Sequence, residues 1–260
     1  MPDEHSRLTG GTPKEFSTVK ALNVTYQYPS RHSPALVSVS VDLAVGQLAA
    51  LIGHNGAGKT TFARCLLGQL RPTAGELLVD GGRLKSDQDW IASCAYIPQQ
   101  PTMLDLTIRQ YLTLGMYYSN EDVLSALNAV GAFWAADKFE ERLGFTAHGG
   151  TQISLGQLQQ LALARVLLRT EARLVVLDEP YSGLDPSSLR RTLQIYRELA
   201  RTRVVIVIAH REDVVNISDY VVWFDNGSVR MKGCPDELKS QPEYHDFWQD
   251  YQLATQSTSR

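Results

Sequence analysis

The sequence predicts an α/β fold: a mostly parallel central sheet, an N-terminal antiparallel β subdomain and an inserted helical subdomain. Three observations carry this. Continuous apolar runs at "LAALI" (48–52), "LVVL" (174–177) and "VVIVIA" (204–209) read as strands buried on both faces, as in a parallel sheet covered by helices. The first third alternates instead, at Leu22, Val24, Tyr26, Tyr28 and at Val37, Val39, Val41, Leu43, which predicts half-buried antiparallel strands. The stretch from about Thr107 to Leu143 reads as mostly helical and contains no buried-strand run, which makes it an insertion.

Taken in chain order, residues 1–16 are polar, lack the apolar core of a signal peptide and read as a flexible tail. The main domain spans 17–235, with the helical subdomain inserted at about 100–150. Between the buried runs lie helical patterns, such as Leu189, Leu193, Tyr196 and Leu199/Ala200. "VVWFDNGSVRMKG" (221–233) sets two apolar runs around Asp225-Asn226-Gly227, a hairpin signal. Residues 236–260 read as a C-terminal helical extension.

With 260 residues, 43% of them hydrophobic, the chain supports one large core or a core with a sub-domain. A net charge of −3 leaves no basic footprint for nucleic acid or an anionic membrane surface. Cys65, Cys94 and Cys234 have no paired spacing, which suits a reducing compartment and argues against a disulfide framework or a zinc site. The longest apolar runs fall far short of the roughly 18 residues of a membrane-spanning helix, so a soluble chain is expected.

Chemistry enters directly after "LAALI". "GHNGAGKTT" (Gly53, His54, Asn55, Gly56, Ala57, Gly58, Lys59, Thr60, Thr61) contains the full Walker A pattern in its strand–loop–helix context, which predicts a P-loop NTPase core. Its glycines let backbone N–H groups wrap a phosphate. Lys59 can reach the β- and γ-phosphates, the Thr60 hydroxyl can ligate Mg²⁺, and the helix start adds its positive dipole end. "LVVLDEP" then places Asp178 at a strand end, where it can ligate Mg²⁺, and Glu179 next to it, where it can polarise an attacking water. His210 ends the third buried run, at the edge where ligands of open α/β sheets gather. In "ISLGQ", Ser154 and Gln157 form a capping box around Leu155 and Gly156. A phosphate-binding helix end would favour glycine at Leu155, because glycine gives room and access to positive φ.

Together these residues resemble the ATP-binding-cassette ATPases that drive membrane transport, over about Val19 to Gly233. The resemblance implies that Tyr28 in "YQYP" stacks on adenine. It implies that Gln99 in "YIPQQP" touches Mg²⁺ and the attacking water, Gln100 being the other register. "ISLGQ" stands at the family signature, so Ser154, Leu155, Gly156 and Gln157 act on the nucleotide of an opposite protomer. "SGLD" (182–185) matches the loop that communicates across the dimer, with Asp185, and His210 matches the switch histidine.

The implied cofactors are ATP and Mg²⁺. The implied partners are a second cassette, in a homo- or heterodimer, and a transmembrane subunit or domain, with no nucleic acid. The implied place is the cytoplasmic face of a membrane, with Met103, Leu104 and Met116 as docking candidates and Leu112 and Leu114 as core. "GGTQIS" and the ending "ELKSQPEYHDFWQDYQ" resemble exporters, which makes export the implied direction; "GHNGAGKTT" and "GLDP" resemble stand-alone subunits of uptake systems, the alternative. DNA-maintenance relatives insert a long coiled coil or extra domains before the signature. Here residues 100–153 alone separate Gln99 from Ser154, without sustained heptads. A GTP switch would need an Asn-Lys-x-Asp motif, which the sequence lacks.

Overall fold

The computed structural model describes residues 14–85, 87–144, 152–179, 181 and 183–257, with side chains up to Tyr251. The chain opens with antiparallel β1 (Thr18–Tyr26) and β2 (Leu36–Ala44). The fully buried β3 (Leu48–Ile52) feeds α1 (Lys59–Leu66). Next come β4 (Ala74–Val79) and β5 (Gly82–Arg83), then α2 (Gln88–Ala92) and β6 (Cys94–Ile97). The inserted segment holds α3 (Ile108–Thr113), α4 (Asn120–Val130) and a 3₁₀ turn at Phe133–Ala135. It is followed by α5 (Leu155–Leu168), β7 (Leu174–Asp178), α6 (Pro186–Ala200), β8 (Val204–Ile208) and α7 (Glu212–Asn216). The chain closes with β9 (Tyr220–Asp225), β10 (Ser228–Gly233), α8 (Pro235–Lys239) and α9 (Pro242–Ser257).

Two sheets form, in the orders β2-β1-β4-β5 and β10-β9-β3-β8-β7-β6. In the larger one β9, β3, β8, β7 and β6 run parallel, and β10 returns antiparallel through the hairpin at Asn226 and Gly227, both at positive φ. The three runs expected to be buried on both faces are β3, β7 and β8. Their side chains alternate between two cores. Leu48, Ala50, Ile52, Val175, Leu177, Val205 and Val207 face the side packed by α4, α5, α6 and α9. Ala49, Leu51, Leu174, Val176, Val204, Ile206 and Ile208 face α1 and the antiparallel sheet. Hydrophobic burial on both faces is what allows these strands to dispense with polar alternation.

The alternation expected in the first third breaks twice. Asn23 (φ 50°) and Ser38 (φ 51°) take left-handed backbone, with register shifts around Asn23. The parity therefore changes: Ala21 and Val24 are both buried while Leu22 is exposed, and Leu36 and Val39 are buried while Val37 is exposed. Strand β6 has no long apolar run and was not anticipated; its short "CAYI" is a strand because β7 pairs with it along its length.

Both ends pack against the body of the chain. Within the segment read as a tail, Lys14 pairs with Asp87 at 2.9 Å and Phe16 is buried against Trp90; residues 1–13 lie outside the described set. In the C-terminal extension, Tyr244, Phe247 and Trp248 are buried in the same core as the sheet. Among the described residues no helix is long and apolar enough to cross a membrane. In the insertion Leu112 is core, but Leu114, also expected in the core, is 53% exposed. It ends α3 in left-handed backbone (φ 46°), which turns its side chain outward.

Candidate active site

Four parallel strands end at one edge of the larger sheet, and each delivers part of the site. The loop from Gly53 to Gly58 follows β3, Gln99 follows β6, Asp178 and Glu179 end β7, and His210 follows β8. Such an edge is where ligands of open α/β sheets bind.

At the loop, α1 begins with Gly58 at φ 106°, and no side chain caps it. A Cβ at Gly58 would lie 2.8 Å from the Ala35 carbonyl oxygen, so the close approach to the β1–β2 connection and the backbone angle both require glycine. The first amides of α1 have no intrahelical acceptors and point into the loop with the positive end of the helix dipole. Lys59 is only 5% exposed; its ammonium donates to the carbonyls of Gly53 (2.6 Å) and His54 (3.0 Å). Burial lowers its pKa to about 8, against the opposing pull of Glu179 and Asp178. A buried ammonium with neutral acceptors, beside uncapped amides, suits an anion such as a phosphate.

Asp178 is buried, and its carboxylate accepts from the Thr60 hydroxyl (3.3 Å) and the Tyr96 hydroxyl (3.4 Å). Burial, and then the adjacent Glu179, raise its pKa. A cation would relieve both. Among the described residues no group of three His, Cys, Asp or Glu side chains forms a metal cage. One carboxylate with one hydroxyl fits Mg²⁺, which takes few protein ligands and completes its shell with water and substrate phosphates.

Glu179 has φ 49°, which is rare for a residue with a Cβ and recurs where function fixes the backbone. This turn parts the two neighbouring carboxylates. Asp178 faces Thr60, whereas Glu179 accepts from Gln99 Nε2 (3.0 Å) and meets His210 Nε2 (2.5 Å). The contact places Gln99 beside Glu179; among the described residues no side-chain hydrogen bond joins Gln100 to the site. His210 is held further by its own amide, which donates to the Tyr181 hydroxyl (2.8 Å), and by Tyr251 of α9 at Nδ1. Burial raises the Tyr181 hydroxyl's pKa, which keeps it protonated.

Tyr28 stands after β1, half-buried, edge-on to Tyr26 at 4.9 Å, with Arg31 over its ring and its hydroxyl 3.3 Å from that of Thr61. Ser154 caps α5 in the reciprocal box expected: its hydroxyl accepts from the Gln157 amide (3.1 Å), and Gln157 Oε1 accepts from the Ser154 amide (2.8 Å). Among the described residues no hydrogen bond joins this helix start to the phosphate loop. Leu155 is exposed and is not among the residues at positive φ, which corrects half of the argument for glycine there. The glycine with a strict requirement is Gly156, where a Cβ would sit 2.8 Å from the Gly183 carbonyl oxygen. Asp185 caps α6, accepting from the amides and hydroxyls of Ser187 and Ser188; these bonds hold its pKa well below the usual carboxylate range. Ser182 lies outside the described residues.

Sequence reasoning missed Tyr96, Tyr181 and Tyr251. The first lies on an unanticipated strand, and no spacing in the chain links the other two to His210.

Comparison with known proteins agrees with this geometry. The ABC transporter family model matches residues 36–182. An ATP-dependent lipid A-core flippase of Pasteurella multocida is 34% identical over 224 residues, covering 83% of this chain and 38% of that protein. The glutathione/L-cysteine transport system ATP-binding/permease protein CydC of Escherichia coli is 31% identical over 256 residues, covering 96% of the chain and 43% of the relative. The structure of a bacterial Atm1-family ABC exporter with ATP bound superposes with a TM-score of 0.81 at 25% identity, covering 94% of this chain and 44% of the other. The chain thus spans less than half the length of these relatives.

Proposed function

Since this chain belongs to the ABC transporter family and carries its ATPase domain, we propose that it binds and hydrolyses Mg²⁺-ATP to drive transport through membrane-spanning partner helices. The observation that carries this reading is the convergence of Lys59, Thr60, Asp178, Glu179, Gln99 and His210 at one sheet edge. Lys59 and the α1 amides hold the phosphates, and Tyr28 offers its ring to adenine. Thr60, Asp178 and Gln99 would hold Mg²⁺, which would supply charge neutralisation at the phosphates.

Glu179 accepts hydrogen bonds where a water would be polarised for attack on the γ-phosphate, and His210 stands beside it with a nitrogen to offer the transferring group. Ser154 to Gln157 make no hydrogen bond to this edge among the described residues and, through Gly156, pack against Gly183 in the loop that leads to Asp185; this supports a role for both segments toward the nucleotide of a second cassette.

Export is the direction favoured by the relatives, which include a flippase and an exporter. The ATPase then sits at the cytoplasmic face of the membrane. The exposed Leu114 and Met116 and the 94% exposed Tyr117 are offered to a membrane partner, beside a cavity of about 220 Å³ that Leu112, Leu114, Met116 and Tyr118 help to line; Leu104 is exposed as well.

The test is Glu179→Gln. The variant should bind ATP normally and lose hydrolysis by about 10²–10⁴-fold, the worth of a positioned base. Near-normal turnover in steady-state phosphate release would remove Glu179 from the role.

A further inference from the structure

Helix α9 reaches the site from outside the parallel sheet. Its Phe247 lies edge-on to the His54 ring of the phosphate loop at 5.1 Å and beside Trp223 at 5.0 Å. One turn later, Tyr251 stacks obliquely on His210 at 5.1 Å, with its hydroxyl on Nδ1. The other ring nitrogen, Nε2, meets the Glu179 carboxylate. The imidazole is thus held at both nitrogens, by groups from two elements far apart in the chain.

The two contacts fix the ring's protons. A carboxylate only accepts, so Nε2 must carry the hydrogen; in a neutral imidazole Nδ1 is then the acceptor and the Tyr251 hydroxyl the donor. We propose that Tyr251 is a positioning residue for His210. Its hydroxyl selects the tautomer and ring orientation that present Nε2–H toward Glu179 and the transferring phosphoryl group. Burial supports this by pushing the Tyr251 hydroxyl up to about 12, so it keeps the proton it donates. The Phe247–His54 contact keeps α9 in place against the loop that holds the phosphates, so the same helix touches both the binding loop and the histidine. This inference rests on the role proposed for His210.

The test is Tyr251→Phe, which keeps the ring that packs against Phe247 and Trp248. In the chain labelled with ¹⁵N-histidine, His210 signals are assigned by their loss in His210→Ala. The unsubstituted chain should show a protonated Nε2 and an unprotonated Nδ1, and Tyr251→Phe should shift the ring toward a mixture of tautomers. ATP turnover should fall by about two- to tenfold in kcat, the range of a single lost hydrogen bond, with KM for ATP unchanged. An unaltered ¹⁵N pattern in Tyr251→Phe, or a rise in KM with kcat intact, would overturn the proposal. Near-normal turnover in His210→Ala would instead sink the catalytic role of His210, while the tautomer measurement still decides whether Tyr251 sets the ring.

Discussion

Two helix starts in this molecule face the same physical problem and solve it in opposite ways. Each leaves its first amides without intrahelical acceptors. At α5 the chain satisfies its own end, with Ser154 and Gln157 exchanging hydrogen bonds in a closed box. At α1 no side chain caps the end; Gly58 takes left-handed backbone and a buried lysine leans on two carbonyls. An end built for its own stability needs no ligand. An end without a cap, set beside a buried ammonium, is complete only with an anion. The difference supports the proposal that α1 is the primary phosphate site. It also means that α5 can contribute to a second cassette only through amides that its box leaves unused, or by opening that box.

The largest effect expected from this comparison lies at α1. Lys59→Ala should weaken ATP binding by about 10²–10³-fold, since charge-assisted bonds to phosphate are worth roughly 1.5–3 kcal/mol each and 1.4 kcal/mol is a factor of ten. Folding should change little. Burial already lowers the pKa of this ammonium, so the folded chain holds the charge at a cost, and its removal offsets the two carbonyls left without a donor. A direct titration that shows unchanged ATP affinity would put both helix starts on the same footing and end the distinction.

The α5 end should respond in stability first. Gly156→Ala gains up to about 1 kcal/mol of helix propensity but places a Cβ 2.8 Å from the Gly183 carbonyl oxygen and 3.5 Å from Leu184 Cδ2. Overpacking of this kind costs roughly 1–3 kcal/mol, so a net loss of about 1–2 kcal/mol is expected, read as a fall of several degrees in Tm. If the alanine variant melts at the same temperature or higher, the α5 start is not braced against the loop before α6.

Legibility in the sequence followed the kind of force involved. The strands β3, β7 and β8 were readable because burial on both faces leaves unbroken apolar runs, and the phosphate loop because its backbone demands glycine at fixed spacing. Strand β6 was not, since its pairing with β7 rather than its own composition makes it a strand. The parity changes at Asn23 and Ser38 were hidden as well: a left-handed residue inside an alternating run leaves no mark on the pattern. Among the candidate site residues, Asp178 ends a buried strand, Glu179 and His210 come just after one, and Lys59 closes the loop that follows one, so each was visible. Tyr251 was not, because its partner His210 comes from a different element and only the packing of α9 brings the two together.

The smallest effect concerns Leu155, and it sharpens the comparison most. The residue opens α5 in ordinary helical backbone, so glycine's freedom of φ is not what the position lacks. Its side chain is 44% exposed beside the capping box, so only its bulk can obstruct a phosphate brought by a second cassette. Removing a full transition-state donor costs about 10²–10³ in rate. Crowding one without deleting it should cost about tenfold at most, or roughly 1.4 kcal/mol. Leu155→Gly should therefore speed hydrolysis by the chain assayed alone if two copies pair with each signature on the other's nucleotide. The same change should lower stability by about 0.5–1 kcal/mol, the usual cost of glycine in a helix. Opposite signs in the two measurements would show that the α5 end, though closed on itself, still meets a nucleotide. A variant that is less stable but no faster at saturating ATP would mean that Leu155 only begins a helix, and that the amides of α5 never approach a phosphate.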